Sequence, residues 1–369
     1  MIHVSPTLTP LLFLKSIFSS SDNFMPNIIQ FSYARGALIG AINSIITHYK
    51  IKNEITVWLP AFICDTVIYL LEAYNIKVSY YPITNSLEPN WNKLNYLAFS
   101  EGDIFLLVHY FGFQMPTHTA IEFCKTNKLH MIEDCAHSIV PSIENESIGT
   151  HGDAAIFGLR KALPVPHGGF LYMQGIKYVP PKSVSLVGGI YRSPLKMIIQ
   201  WVFIKLKIKY PRNNKLIKKG VVPTFPANYS LFNFQEEMNT ISRKITNSVN
   251  IFNIVTKRIN NYLYYEKSLS GIKNIMIPIS FKIKRGQTTP WVFFFFYKEA
   301  ERLINYLLKN GIPASDFPTL HPNILRNPDF DFENKLYDKS VTLPVHQDMT
   351  LENMDYIIKI LKEFDEILY

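Results

Sequence analysis

The first two-thirds of the chain alternates short apolar runs with segments of helical periodicity. ITVWLPAF (55–62) and DIFLLVHYFG (103–112) are typical of buried strands, whereas ARGALIGAINSIITHY (34–49) and TAIEFCKTNKL (119–129) place apolar side chains at helical spacing. Strands that alternate with helices in this way form a mostly parallel sheet covered by helices on both faces. The pattern therefore predicts an α/β fold for this part of the chain.

The last third of the chain has a different pattern. PWVFFFFY (290–297) is typical of a strand, EAERLINYLLKNGI (299–312) of a helix that ends at a glycine, and NMDYIIKILKEFDEIL (353–368) of an amphipathic helix. We therefore expect a large α/β domain at 1–245, followed by a smaller C-terminal α+β domain at 246–369.

Bulk composition limits the classes of protein to which the chain can belong. Of its 369 residues 47% are hydrophobic and 18% are charged, which excludes a disordered chain. Cys64, Cys124 and Cys135 are odd in number and not in CxxC spacing, so neither a disulfide framework nor a metal site is indicated. No basic segment precedes the first apolar run, and no apolar stretch reaches about 20 residues. We therefore expect a cytoplasmic protein without a secretory signal or a transmembrane helix.

The net charge of +9 is concentrated in one segment, 181–220, which has ten basic residues and no acidic one. A protein that coats nucleic acid usually spreads its positive charge more widely, so we expect no nucleic-acid partner. The segment is interpreted as an insertion or connector. Its part SPLKMIIQWVFIKLKIKY (193–210) is typical either of a surface that contacts anionic membranes or of a packed helix or strand at a dimer interface, and we favour the second.

Polar side chains follow the predicted strands, where ligands bind in sheets of this kind. His109 follows FLLV, Asp134 and His137 follow HMI, and Lys161 follows AIFGLR. Arg35 lies at the start of a predicted helix, where main-chain N–H groups and the helix dipole favour an anion. A lysine, a carboxylate and an anion site together indicate pyridoxal 5'-phosphate (PLP).

The chemistry of this cofactor requires each of these groups. The lysine forms a Schiff base with the aldehyde and moves a proton. An ionised aspartate keeps the pyridine nitrogen protonated, and a helix N-terminus neutralises the phosphate. Taken singly, Lys161 could be a solvated charge, Asp134 a helix cap, either histidine a packed side chain and Arg35 a surface residue. The prediction rests on their combination.

These stretches resemble the DegT/StrS-type, PLP-dependent sugar aminotransferases of the fold-type I superfamily. MIEDCAHS (131–138) is similar to the family's Ile-Glu-Asp-x-Ala-Gln/His motif, and SYARGAL (32–38) to its Gly-Thr-x-Ala-Leu helix start. VHYFG (108–112) resembles its His-x-x-Gly strand end, and GDAAIFGLRKALPVPHGGFLYM (152–173) its lysine segment with Gly-Gly. The resemblance covers nearly the whole chain and implies a fold-type I aminotransferase-like architecture.

The resemblance also implies roles for individual residues. Lys161 would be the Schiff-base lysine, Asp134 the partner of the pyridinium nitrogen, and His137 the residue beside the cofactor ring. Further cofactor contacts are implied for Arg35, Gly36, His109 and, across a dimer interface, Asn228. The family is usually homodimeric, which implies a homodimer here.

Several positions depart from the family's pattern. Gly158 stands where a phosphate-binding serine is expected, and Cys64 lies near the position of the aromatic that stacks on the ring, with Phe62 as a candidate substitute. Ser230 replaces the arginine of an Asn-x-Arg pair, and the segment 157–161 is shorter than usual. These departures indicate a divergent branch. They keep open an alternative, a catalytically degenerate homologue that acts as a scaffold or regulator.

The lysine at position 161 favours one reaction within the family. Members that dehydrate deoxysugars have a histidine there, so Lys161 favours transamination. The resemblance thus implies transfer of an amino group from an amino acid, plausibly glutamate, to a keto sugar that is attached to a nucleotide. Such products are used for surface polysaccharides or modified glycans.

Overall fold

The structure, a computed structural model, describes residues 2, 5–20, 27–139, 147–181, 194–206, 216–220, 236–284 and 287–368. Its strands are β1 (Ile28–Phe31), β2 (Thr56–Pro60), β3 (Lys77–Tyr81), β4 (Ile104–Val108), β5 (His130–Cys135), β6 (Ala154–Gly158), β7 (Gly169–Met173), β8 (Val292–Phe296) and β9 (Ser340–Pro344). Its helices are α1 (Pro10–Ile17), α2 (Ala34–Tyr49), α3 (Asp65–Ala73), α4 (Trp91–Leu94), α5 (Thr117–Thr126), α6 (Leu159–Ala162), α7 (Pro194–Lys205), α8 (Thr240–Ser248), α9 (Ile251–Leu269), α10 (Ala300–Lys309), α11 (Asp331–Lys339) and α12 (Leu351–Leu368).

Seven strands form one sheet in the order β1-β7-β6-β5-β4-β2-β3. All neighbouring pairs are parallel except the two that involve β7, which runs antiparallel to both β6 and β1. The predicted mostly parallel sheet is therefore confirmed. Because only β7 is reversed, its start lies at the same edge of the sheet as the ends of β1, β4, β5 and β6.

The predicted helices pack on this sheet. Helix α2 contacts β6 and β7, and α5 contacts β4 and β5. The apolar side chains of α2 that face the core recur at three- and four-residue spacing and are fully buried: Ala37, Leu38, Ala41, Ile42 and Ile45. This packing fixes β6 and β7 relative to the first turn of α2.

Strands β8 and β9 form a second, antiparallel sheet. It shares one continuous hydrophobic cluster with the large sheet. The ring of Phe111, which follows β4, lies 4.3 Å from the ring of Phe294 in β8, centroid to centroid. The division into domains at 1–245 and 246–369 stays a proposal, and the shared cluster shows that the two sheets are packed together.

The basic segment 181–220 is described only in part. Residues 194–205 form helix α7, in which Met197 is buried while Leu195 and Ile199 are exposed. Residues 216–220 lie against α10 and α11, where the Lys219 ammonium donates to the carbonyl oxygen of Tyr337 at 2.6 Å. Among the described residues, no helix combines the length and the apolar character that crossing a membrane requires.

Candidate active site

A cavity of about 460 Å³ opens at the edge of the sheet where β1, β4, β5 and β6 end. Four residues predicted from the sequence line it together: Arg35, Asp134, His137 and Lys161. A volume of this size accommodates a ligand as large as a phosphorylated pyridine, for which pockets of about 300–1,000 Å³ are usual. Topology thus brings side chains that are up to 126 positions apart in the chain to one site.

Lys161 lies on α6, the short helix that follows β6 directly. Its Nζ is 4.7 Å from the centre of the Trp291 indole ring. Burial lowers the pKa of the Lys161 amine to about 8, against the opposing effect of the Asp134 carboxylate. At pH 7 about a tenth of the amine is then neutral, far more than for an ordinary lysine. The neutral form is the nucleophile that an aldehyde requires.

Asp134 is the next-to-last residue of β5, and its side chain is buried. Its Oδ1 accepts a hydrogen bond from the main-chain N–H of Ala136 at 2.9 Å. Burial raises the pKa of the Asp134 carboxyl, while the Lys161 charge and the Ala136 N–H act in the opposite direction. An amine and a carboxylate therefore face the same cavity, which is the arrangement that PLP needs.

His137 is fixed as a neutral imidazole with a defined tautomer. Its Nδ1 accepts a hydrogen bond from the main-chain N–H of Phe111 at 3.0 Å, so Nε2 carries the proton. Burial, reinforced by the charge of Lys161, lowers the pKa of His137 well below its ordinary value. Its ring centre lies 4.4 Å from that of Trp291. The residue can therefore donate one hydrogen bond or stack, and it cannot supply a positive charge at neutral pH.

The first turn of α2 forms a candidate anion site at the wall of the cavity. Tyr33, the residue before the helix, makes no side-chain cap, and Tyr33, Ala34 and Arg35 line the cavity. The first main-chain N–H groups of a helix, here including that of Gly36, have no acceptor within the helix. Together with the guanidinium of Arg35, they fit a phosphate.

The Gly-Gly pair at the start of β7 is explained by the same helix start. A Cβ atom on Gly169 would lie 2.2 Å from the main-chain nitrogen of Ala34 and 2.2 Å from the carbonyl carbon of Tyr33. Gly168 has a φ of +154° and forms a bridge to Tyr33. The absence of a side chain lets β7 pass directly against the anion site, which was not evident from the sequence.

His109 does not line the cavity, in contrast to the other predicted residues at strand ends. Its Nε2 donates to Glu133 Oε2 at 2.9 Å, and its Nδ1 accepts from the main-chain N–H of Met115 at 3.0 Å. Burial alone would raise the pKa of Glu133, but hydrogen bonds from His109 and from main-chain groups such as the Gly152 N–H lower it well below its usual range. Both ring nitrogens of His109 are therefore used by the protein, and this geometry does not support the predicted cofactor contact.

The position of the ring-stacking aromatic is also clarified. Cys64 lines the cavity, and its sulfur lies 3.2 Å from Thr66 Oγ1. Phe62 does not line it. Its side chain is fully buried, its ring centre lies 6.0 Å from that of Tyr110, and the Tyr110 hydroxyl donates to the Phe62 carbonyl. Tyr110 and Phe317 are aromatic residues that do line the cavity. Phe62 thus does not take the place of the missing aromatic.

Two predicted positions lie outside the described residues, and sequence reasoning missed two others. Asn228 and Ser230 belong to the segment 221–235, which the structure does not describe. Trp291 was seen only as the start of a strand, yet its indole lies beside the Lys161 amine. Arg160 lines the cavity as well and was not singled out. No local pattern marks Trp291, because its contact spans 130 positions.

Comparisons with known proteins agree with this site. Residues 97–173, which include β4 to β7, match the model of the DegT/DnrJ/EryC1/StrS aminotransferase family. The resemblance to this family is confirmed over that stretch. The match bears out the predicted enzyme class, an aminotransferase, and with it the predicted cofactor, PLP. No curated protein sequence matches the chain.

Several solved structures share the fold. They include the aminotransferase TlmJ from Streptoalloteichus hindustanus (TM-score 0.66, 14% identity, 93% of this chain and 86% of that chain covered). The GDP-4-keto-6-deoxy-D-mannose-3-dehydratase of E. coli with bound hydrated PLP has a TM-score of 0.64 and 17% identity over 95% and 90% of the two chains. PseC from Helicobacter pylori, an aminotransferase involved in the biosynthesis of pseudaminic acid, has a TM-score of 0.64 and 14% identity over 98% of this chain and 93% of that chain. The predicted fold-type I architecture is therefore confirmed.

Gly158, the departure from the expected serine, has a steric cause. A Cβ atom at this position would lie 2.6 Å from the carbonyl oxygen of Ala136. Gly158→Ser is therefore expected to lower the free energy of unfolding by about 1–3 kcal/mol, measured by urea denaturation. Gly271→Ser is the matched control, because nothing lies within 4 Å of a Cβ there. A Gly158→Ser protein as stable as the control would show that the close approach is not limiting.

Proposed function

We propose that the chain is a PLP-dependent aminotransferase that transfers an amino group from an amino acid, with glutamate as the expected donor, to a nucleotide-linked keto sugar. The observation that carries the proposal is the common cavity of Lys161 and Asp134, with an arginine and a helix N-terminus at its wall. The family match of residues 97–173 supports the reaction class.

Different residues of the chain would have different roles in this reaction. When bound, PLP supplies an aldehyde that reacts with amines and a ring that withdraws electrons. Lys161 Nζ takes a proton from the substrate carbon and returns one, because its lowered pKa lets it act in both directions near neutral pH. Asp134 would accept a hydrogen bond from the ring nitrogen of bound PLP and keep that nitrogen protonated. Arg35 and the first turn of α2 bind the phosphate.

Two observations support transamination of an anionic substrate. Position 161 is a lysine, whereas the dehydrating members of the resembled family have a histidine there. Among the described residues that line the cavity, Arg35, Arg160 and Lys161 are cationic and Asp134 alone is a carboxylate. An excess of positive charge attracts phosphate-bearing ligands such as a PLP phosphate or the diphosphate of a nucleotide sugar. We extend the proposal in two ways. The product would be used in surface polysaccharide or glycan biosynthesis, and the enzyme would act as a homodimer.

The alternative of a catalytically degenerate scaffold is less well supported. The lysine, the carboxylate and the anion site all face one cavity. The loss of the serine at Gly158 coincides with a steric restriction, because the Ala136 carbonyl occupies the space that a side chain would need. A pseudoenzyme would have no reason to keep an amine and a buried carboxylate in one cavity, since taking charged groups out of water costs free energy even when they are paired.

Spectroscopy of the purified protein tests the proposal. PLP is added to the full-length protein, and we expect a visible absorbance band of the lysine-bound cofactor, which an amino-acid donor then converts to the pyridoxamine form. A panel of nucleotide-linked keto sugars should reverse the conversion. Bound cofactor without conversion by any donor would favour the scaffold, and absence of PLP binding would refute the aminotransferase.

Arg35→Gln is expected to weaken PLP binding by about 10- to 100-fold, since a hydrogen bond between charged groups contributes about 1.5–3 kcal/mol. Affinity is measured by equilibrium titration of the absorbance band. The matched control is pyridoxal, which has no phosphate and should bind the variant and the wild type equally. Equal losses for both ligands would show that Arg35 acts on the whole site and not on the phosphate.

A further inference from the structure

Arg258 connects helix α9 to the segment that carries the site lysine. Its side chain is fully buried, and burial lowers the pKa of its guanidinium to about 10, so it stays charged at neutral pH. The guanidinium donates five hydrogen bonds to uncharged oxygen atoms: Nε to Gln347 Oε1 at 3.0 Å, Nη1 to the carbonyls of Pro290 at 3.1 Å and Trp291 at 3.2 Å, and Nη2 to the carbonyls of Lys161 and Ala162, both at 3.2 Å.

Two of these acceptors are the last carbonyl groups of α6. The final carbonyls of a helix have no N–H partner within the helix, and α6 has only four residues. Arg258 caps the carbonyls of Lys161 and Ala162, and Gln347 Nε2 donates a second hydrogen bond to that of Ala162 at 3.2 Å. The end of the lysine-bearing helix is therefore closed by side chains from α9 and from the segment after β9.

The same guanidinium also fixes the aromatic wall beside the amine. Arg258 binds the Trp291 carbonyl, and the Trp291 main-chain N–H donates to the Phe111 carbonyl at 2.9 Å. The indole then lies next to Lys161 Nζ and against the His137 ring. One buried side chain thus fixes both the main chain of the lysine and the ring that lies beside its amine.

We propose that Arg258 is a positioning residue for Lys161: it fixes α6 against Trp291 so that the amine stays desolvated and directed toward Asp134. A planar guanidinium with five donors can bridge these three segments, whereas a lysine at 258 would offer three donors from one point. The effect on catalysis rests on the proposed function, but the positioning itself does not.

A neighbouring side chain on the same helix provides a matched control. Asn261 Nδ2 donates to the carbonyls of Val345 and His346, both at 3.1 Å, and neither hydrogen bond involves α6. It ties α9 to the segment that leads to Gln347 and stabilises the fold. Loss of Asn261 weakens packing between α9 and the segment before Gln347 but removes no hydrogen bond to α6, whereas loss of Arg258 removes two.

The experiment measures the ionisation of Lys161 in the cofactor-free, full-length protein. The protein is pulse-labelled with acetic anhydride at a series of pH values, and acetylation of Lys161 is quantified by peptide mass spectrometry. Arg258→Gln is expected to raise the midpoint of Lys161 acetylation by about one pH unit, because water reaches the amine. The neutral fraction of the amine at pH 7, and with it the labelling rate, then falls about tenfold. Gln347→Ala is expected to shift the midpoint less, and Asn261→Ala is expected to lower thermal stability without moving it.

Three results would overturn the proposal. One is an unchanged midpoint in Arg258→Gln, and another is an equal shift in Asn261→Ala. The third is full recovery of the wild-type midpoint in Arg258→Lys, which would assign the effect to charge instead of geometry. If Arg258→Gln does not fold, Gln347→Ala carries the test, and an unchanged midpoint there counts against the proposal. Because the assay contains no cofactor, failure of PLP binding would refute the proposed function and leave this measurement intact.

Discussion

Lys161→Ala is expected to reduce the rate of amine transfer by at least about 10³-fold, because the variant lacks both the amine that binds the aldehyde and the group that moves the proton. The visible absorbance band of the lysine-bound cofactor should disappear at the same time. PLP itself should still bind weakly through Arg35 and the first turn of α2, which remain in place. The measurements are a coupled rate assay with glutamate and an absorbance spectrum.

Chemical rescue distinguishes loss of the amine from loss of the fold. A small primary amine such as methylamine, added to Lys161→Ala, should restore part of the rate because it enters the space that the side chain left. Lys128→Ala serves as the control, since its side chain is exposed and paired with Glu101 at the surface. If Lys161→Ala transfers amine at the wild-type rate, Lys161 is not the base and the assignment of the site is refuted.

Asp134→Asn is expected to slow amine transfer by about 10²- to 10³-fold while it makes the free Lys161 amine more reactive. The carboxylate raises the pKa of Lys161, so its removal should lower the midpoint of Lys161 acetylation below about 8 in the cofactor-free protein. More neutral amine is then present at pH 7. Catalysis still falls, because an amide cannot keep the pyridine nitrogen protonated.

The slower amine transfer and the faster acetylation of Lys161 separate two roles of Asp134: one toward the cofactor ring and one toward the lysine amine. The asparagine can still accept the hydrogen bond from the Ala136 N–H, so the main chain should keep its position. Asp103→Asn is the control for a buried carboxylate, because Asp103 accepts from the Thr56 N–H and the Trp58 indole away from the site. That variant should lose stability and leave the Lys161 midpoint unchanged. A slower acetylation of Lys161 in Asp134→Asn would contradict the assigned interaction.

The fold was predictable wherever its signal is local. Helical and strand periodicity predicted α2, β2, β4 and β8, because the spacing of apolar residues depends on the geometry of one element only. Strands β1 and β9 were missed. They have four and five residues, and what makes them strands is pairing with β7 and β8, which are distant in the chain.

The candidate site was likewise predictable only in part. Asp134, His137 and Lys161 were found because each follows an apolar run, and the ends of parallel strands meet at one edge. His109 satisfied the same rule, yet its ring turns to Glu133 instead of the cavity. Which way a side chain points after a strand depends on its hydrogen-bond partners, and the sequence does not specify them locally.

By itself, therefore, the sequence determined the kind of sheet, the edge of the sheet where the candidate site lies, and the lysine and carboxylate that could bind PLP. Only the tertiary structure decided the indole beside the amine, the guanidinium that caps α6 and the absence of space for a serine at Gly158. The physical reason is the separation in sequence between the residues that interact. Periodicity and strand order follow from neighbours along the chain, whereas desolvation, capping and steric exclusion depend on atoms that folding brings together from distant segments.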